Sequence, residues 1–184
     1  MSALPKTFMT VDEFLVWAEG RPGRYELEAG EIVAMSPERA RHAEVKGAAF
    51  LALRDAIKRA GAPCRVMPDG MTVRINSTTA YEPDALVYCG PRLGGDDIEV
   101  RNPCVIVEIA SPGTRSVDQG VKLIGYFRVP SIMHYLLVDP LRRVVVHHAR
   151  GEGDMIATRI VGEGILTLSP PGFDVDVGEF FADA

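Results

Sequence analysis

No stretch of this chain is long and apolar enough to cross a bilayer. Its longest apolar runs, such as Cys104 to Ala110 and Tyr135 to Val138, fall far short of the ~20 residues a spanning helix needs. The opening MSALPKTFMT lacks the apolar region of a signal peptide. These absences lead us to expect a cytoplasmic protein with no membrane partner. Cysteine is scarce: Cys64, Cys89 and Cys104 are an odd number, widely spaced and without C-x-x-C. Neither a disulfide framework nor a zinc knuckle is indicated, and buried reduced thiols are the expectation. An excess of positive charge is also missing. With a net charge of −5 and a pI near 5.4, the chain has no general avidity for polyanions. Any contact with nucleic acid has to be local and assisted by metal. Basic residues do cluster, as Arg39, Arg41, Lys46, Arg54, Lys58 and Arg59 in one stretch and Arg142, Arg143 and Arg150 beside a late strand. Solvated faces are their plainest reading.

What is present suits one compact α/β domain spanning 1–184, since 184 residues at 47% apolar content can bury a proper core. Thr10-Val11-Asp12-Glu13 reads as a capping box opening a short helix that ends at Gly20. Tyr25 to Met35 reads as a hairpin turning at Ala29-Gly30, with Glu26 and Glu28 on one face. Ser36-Pro37 can cap a long amphipathic helix through His42, Val45, Ala49, Leu53, Ala56 and Ile57 to Gly61. Strands are expected at Arg65 to Met67, at Met71 to Ile75 across the turn Asp69-Gly70, at Ala85 to Tyr88 and at Val105 to Ala110. A second capping box, Ser116 to Gln119, opens a helix to about Arg128. Tyr135 to Val138, Val144 to Ala149 and Met155 to Val161 complete the sheet, and the tail packs through Phe180 and Phe181.

One residue is out of place in this pattern. Glu108 is the only carboxylate in a strand of β-branched residues, and an unpaired buried charge costs several kcal/mol. A divalent cation explains it; so does an ion pair with Arg101 or Lys122. Asp84, after Pro83 at the entry to another strand, is by itself an ordinary turn residue. Beside Glu108 on a neighbouring strand, it could share one ion with it. Asp118, Lys122 and Tyr126 recur every four residues, so one helix face carries all three. That face either holds an i,i+4 salt bridge or looks back onto Glu108. His147 and His148 alternate on a strand and cannot ligate one metal together.

Five separated segments then appear in one order: RYELEAGEIVAMSP (Arg24 to Pro37), His42 in the next helix, EPDALVY (Glu82 to Tyr88), VIVEIASPGTRSVDQGVKLIGY (Val105 to Tyr126) and MHYLLVDP (Met133 to Pro140). Over roughly residues 8 to 175 the chain resembles the Uma2 (DUF820) family, a bacterial branch of the PD-(D/E)XK superfamily. The resemblance implies a restriction-endonuclease-like α/β fold: a mixed β-sheet flanked by helices, preceded by an N-terminal helix and β-hairpin. It implies a Mg²⁺-dependent endonuclease, with Mn²⁺ as a possible substitute, acting on DNA as a homodimer and leaving 5′-phosphate and 3′-hydroxyl ends. Asp84 matches the PD aspartate and Glu108 the acidic residue of the triplet. Ala110 stands where that triplet has lysine, so Lys122 on the following helix becomes its substitute. Glu26 is the additional acidic residue, and the backbone carbonyl of Ile109 joins Asp84 and Glu108 around the metal. His42 touches phosphate or supports the site, while Asp118 and Tyr126 hold Lys122. The alternatives are a catalytically silent nuclease fold that binds DNA or protein, and a structural protein whose carboxylates form ordinary ion pairs.

Overall fold

The computed structural model describes residues 8–111 and 116–182, with 116–119 as backbone alone. The chain opens with α1 (Val11–Ala18), whose capping box at Thr10 and Glu13 is formed as expected. The hairpin β1 (Tyr25–Glu28) and β2 (Glu31–Ala34) follows, turning through Ala29 and Gly30 at positive φ. Such a turn matches the right-handed twist of the two strands. The helix α2 (Ala40–Ala60) then runs to Gly61, which takes the left-handed conformation and so stops it.

Strand β3 (Cys64–Pro68) leads to β4 (Val73–Asn76), β5 (Thr79–Tyr81), β6 (Ala85–Cys89) and β7 (Pro103–Ile109). The helix α3 (Ser116–Phe127) carries the chain to β8 (His134–Asp139), then β9 (Val144–Arg150), β10 (Ile156–Val161), β11 (Ile165–Leu168) and β12 (Phe173–Asp176). A six-stranded sheet has the order β10-β9-β8-β7-β6-β3, and a four-stranded sheet the order β2-β1-β5-β4. Strands β11 and β12 form a hairpin of their own. Among the described strands β7 and β8 alone pair in parallel, and α3 makes the crossover that parallel pairing requires.

Period-two alternation divides the large sheet between two cores. Ala85, Val87, Val105, Val107 and Ile109 pack with α2 and with Phe180 and Phe181 of the tail. Leu86, Tyr88 and Ile106 pack on the other face with Tyr126 and Tyr135. Glu108, two residues after Ile106, shares its face and therefore looks toward α3.

Four sequence expectations change. Helix α2 begins at Ala40, with Arg39 at its N-cap and no side-chain cap. Ser36-Pro37 stays outside it, and the next residue, Glu38, is engaged by Arg24 and Lys46. The segments on either side of Asp69-Gly70 do not pair with each other: β3 joins β6 and β4 joins β5, in different sheets. Strands β5, β11 and β12 are additional; β5 is only Thr79–Tyr81, too short to display a period. Finally, Cys64 and Cys89 are bonded to each other, so two of the three thiols expected to be reduced are not. Register opposes them across β3 and β6, which a separation of 25 residues in sequence conceals. Cys104 remains a thiol, pushed up to about 11 by burial.

The contact of α3 with β5 gives a test whose sign is informative. A Cβ at Gly125 would stand 2.8 Å from a ring carbon of Tyr81. That ring is fixed by a hydrogen bond from its hydroxyl to Glu28. Helix propensity alone would make Gly125→Ala stabilising by about 1 kcal/mol. We expect overpacking to win, with a loss of about 1–3 kcal/mol in urea unfolding; a stabilised variant would show that α3 packs less tightly here.

Candidate active site

Antiparallel register brings Asp84 and Glu108 to one place. The pairs Leu86↔Ile106 and Ala85↔Val107 are formed, so Asp84, immediately before β6, and Glu108, immediately after Val107, come at the same end of the two paired strands. The alternation that puts Ile106 on the α3 face puts Glu108 there also, whereas Asp84, just ahead of β6, turns toward α2. The step beyond is taken over by a side chain: Asp84 Oδ2 accepts the Ile109 N–H at 2.7 Å. Its other oxygen lies 3.0 Å from His42 Nε2, near the start of α2. Asp84 is thus anchored from two sides and is only 5% exposed.

Glu108 is gripped from α3. Lys122 Nζ donates to Glu108 Oε1 at 3.1 Å and to Glu26 Oε1, on β1, at 2.8 Å. Four residues on, Tyr126 O–H donates to the same Glu108 oxygen at 2.8 Å. Glu26 Oε1 also accepts the Glu82 N–H at 2.9 Å, so β1, the approach to β6, β7 and α3 meet around one ammonium. The Lys122 ammonium lies over the Tyr81 ring, 5.4 Å from its centroid. The i,i+4 spacing of Lys122 and Tyr126 does what the sequence pattern suggested, turning one helix face onto Glu108. The side chain of Asp118, the third member of that face, lies outside the described residues.

The site holds more negative charge than its cations neutralise. Burial pushes Glu108 up to about 7; Lys122 opposes this, while Asp84 and Glu26 reinforce it. For Lys122, burial alone would lower the pKa, but Glu108 and Glu26 outweigh it and hold the ammonium charged. Asp84 ends below the usual carboxylate range, because the His42 hydrogen bond and charge and the Ile109 N–H overcome its burial. His42 is raised in return, chiefly by its hydrogen bond to Asp84. Burial, with the Glu108 charge beside it, keeps the Tyr126 hydroxyl protonated.

Behind His42 lies a network that sequence reading missed. Arg24 donates from Nε to Glu82 at 2.7 Å and pairs through Nη1 with Glu38 at 2.9 Å and Asp69 at 2.7 Å. Lys46 bridges Glu38 and Asp69 as well. Ligand atoms of Glu38, His42 and Asp84 lie within 4.8 Å of one another, a second arrangement that could hold a metal ion. Glu38, however, already has two cations, which would repel a third. The four-residue step from His42 to Lys46 was the available signal; the partners from β1 and the β3–β4 turn were invisible without the fold. His147 and His148 do face opposite ways: His147 meets His134 at 2.9 Å, and His148 meets Thr158 at 2.8 Å.

Comparison with known proteins agrees with this architecture. A model of the family Uma2, described as "Putative restriction endonuclease", matches residues 11–178. The "Uncharacterized protein slr1290" of Synechocystis sp. is 28% identical over 173 residues, covering 92% of this chain and 90% of its own. A crystal structure from Anabaena variabilis, described as "a putative nuclease belonging to DUF820", superposes with a TM-score of 0.74 at 16% identity, covering 95% of this chain and 98% of that one. At that identity the likeness shows a shared fold.

The charge balance predicts a pH dependence. Glu108 has a folded pKa of about 7 against an ordinary 4.5, so the folded chain keeps a proton that the unfolded chain has released. This stabilisation is complete below about pH 4.5 and is lost as pH rises through about 7. His42, also raised, acts in the same direction: its contribution is complete below 6.5 and lost as pH rises through its folded pKa. Burial lowers His134, His147 and His148, and these act in the opposite direction up to about pH 6.5, so the test is the difference between wild type and Glu108→Gln in chelator-treated protein. The unfolding free energy of wild type minus that of Glu108→Gln should fall between pH 5 and pH 8, and a difference that rises over this range would contradict the assignment to Glu108.

Proposed function

The chain belongs to the Uma2 family, and on that premise we propose that it is a Mg²⁺-dependent endonuclease that hydrolyses phosphodiester bonds in DNA. The observation that carries the reading is Lys122, anchored at 2.8 Å to Glu26 and 3.1 Å to Glu108, with Asp84 bonded to the N–H of the next residue, Ile109. Glu26 and Glu108 around one ammonium, with Asp84 held beside Ile109, are hard oxygen donors with charge to spare, a set that suits Mg²⁺ or Mn²⁺. Asp84, Glu108 and the carbonyl of Ile109 would hold the ion, with Glu26 direct or through water. The Ile109 N–H already points at Asp84, and a strand residue directs its N–H and C=O to the same neighbour. Once bound, the ion would polarise a phosphoryl oxygen and lower the pKa of a coordinated water.

The chain's own groups supply the rest. Lys122 orients the attacking water and offsets charge developing on the phosphoryl oxygens. Tyr126 fixes the Glu108 carboxylate, and His42 fixes that of Asp84. Ala110, at the position where the superfamily triplet has lysine, needs no replacement in the strand because the ammonium arrives from α3. Cutting both strands of a duplex calls for two sites, which supports a homodimer. Strand β10, at one end of the large sheet, leaves Ile156 and Ile160 exposed for such a contact.

With Mg²⁺ or Mn²⁺ and plasmid DNA, we expect wild-type cleavage and a loss of ~10²-fold or more in Glu108→Gln and Lys122→Ala. Mg²⁺ should raise the melting temperature of wild type and of Lys122→Ala, but not of Glu108→Gln. Full turnover by Lys122→Ala would remove the lysine from the chemistry, and equal Mg²⁺ shifts in all three proteins would remove the metal from this site.

A further inference from the structure

The face of α2 that begins beside the active site continues into a groove that the proposed chemistry does not use. Lys46, Phe50, Arg54 and Lys58 recur every four residues and form one stripe along the helix. Lys46 is tied to Glu38 and Asp69. Beyond it the stripe opens into a cleft of about 1010 Å³ between α2, β3 and the loop after β6. Arg54, Lys58, Arg65 and Arg92 line this cleft, and no carboxylate does. In a chain of net charge −5, four cations gathered without an acidic residue among them stand out. All four are exposed. Their recorded partners are modest: Arg54 meets its neighbour Asp55 at 3.0 Å, and Arg65 donates to the Gly90 carbonyl at 3.0 Å. Other arginines are committed to structure; Arg150 donates to the backbone carbonyls of Phe127, Val129 and Ile132.

Shape narrows the ligand. The cleft volume is at the upper end for small-molecule sites, about 300–1,000 Å³. Phe50 contributes a partly exposed ring to its lining, whereas Tyr88 is buried in the core on the other face, and β3, the last strand of its sheet, forms one wall. A cationic groove beside an aromatic ring is an arrangement that binds a single nucleic-acid strand, phosphates on the cations and a base on the ring. From His42 to Arg54 the helix climbs roughly 18 Å. A strand leaving the active site could therefore reach the groove after a few nucleotides.

We infer that the groove between α2 and β3 binds single-stranded DNA through Arg54, Lys58, Arg65 and Arg92, guiding one strand to or from the active site. The inference rests on the nuclease reading, yet it can be tested without cleavage. A fluorescent oligothymidylate is titrated in EDTA with the full chain, with Arg54→Gln/Lys58→Gln, with Arg65→Gln/Arg92→Gln, and with Arg101→Gln/Arg159→Gln, whose residues lie outside the cleft. Each groove pair should weaken binding about tenfold and lower the slope of log K against log salt by about 1.4, from ~0.7 per phosphate contact. The control pair should bind as wild type does. Groove variants with wild-type affinity and slope would overturn the inference. So would wild type that cleaves duplex DNA but fails to bind the oligonucleotide. Displacement of the oligonucleotide by an acidic peptide of equal affinity would assign the groove to a protein partner. Groove-dependent binding in a protein that never cleaves would uphold the groove and reject the nuclease reading.

Discussion

The structure around the site depends on one ammonium serving two buried carboxylates. Lys122 reaches Glu26 from β1 and Glu108 from β7, tying the small sheet, the large sheet and the crossover helix together. Exposed ion pairs contribute little to stability. This one is mostly enclosed, with 20% of the Lys122 side chain, 10% of Glu26 and 14% of Glu108 exposed. Removing the lysine would strand two anions in a poorly solvated place, and removing either acid would relieve crowding. Such an arrangement is a poor way to stabilise a fold and a good way to keep carboxylates converged.

Much of this was legible in the sequence, because the converging side chains sit on the most regular elements. Glu108 stood out against the apolar residues of β7, and Lys122 and Tyr126 shared a helical period. The hairpin turn at Ala29-Gly30 announced where Glu26 would be presented. The missed features depend on partners far apart in the chain. Arg24 pairs with Glu38, Asp69 and Glu82, and no local pattern connects those positions. Cys64 and Cys89 met for the same reason, through strand register. The start of α2 was misplaced because Ser36-Pro37 satisfies a local rule, while the ion pairs of Glu38 are tertiary.

The charge partners change along α2. Near its start, the acidic residues Glu38 and Asp84 hold Lys46 and His42; further on, Arg54 and Lys58 border an acid-free groove. An acidic protein can therefore offer nucleic acid a local basic path while its net charge discourages indiscriminate binding.

The central claim is that Asp84 and Glu108 share one divalent ion. Crystals soaked in Mn²⁺ and measured for anomalous scattering test it most directly. The account predicts a peak within about 2.0 to 2.6 Å of oxygens from both carboxylates. A peak held by Glu38 and His42 without Glu108, or no peak at Asp84, would contradict it.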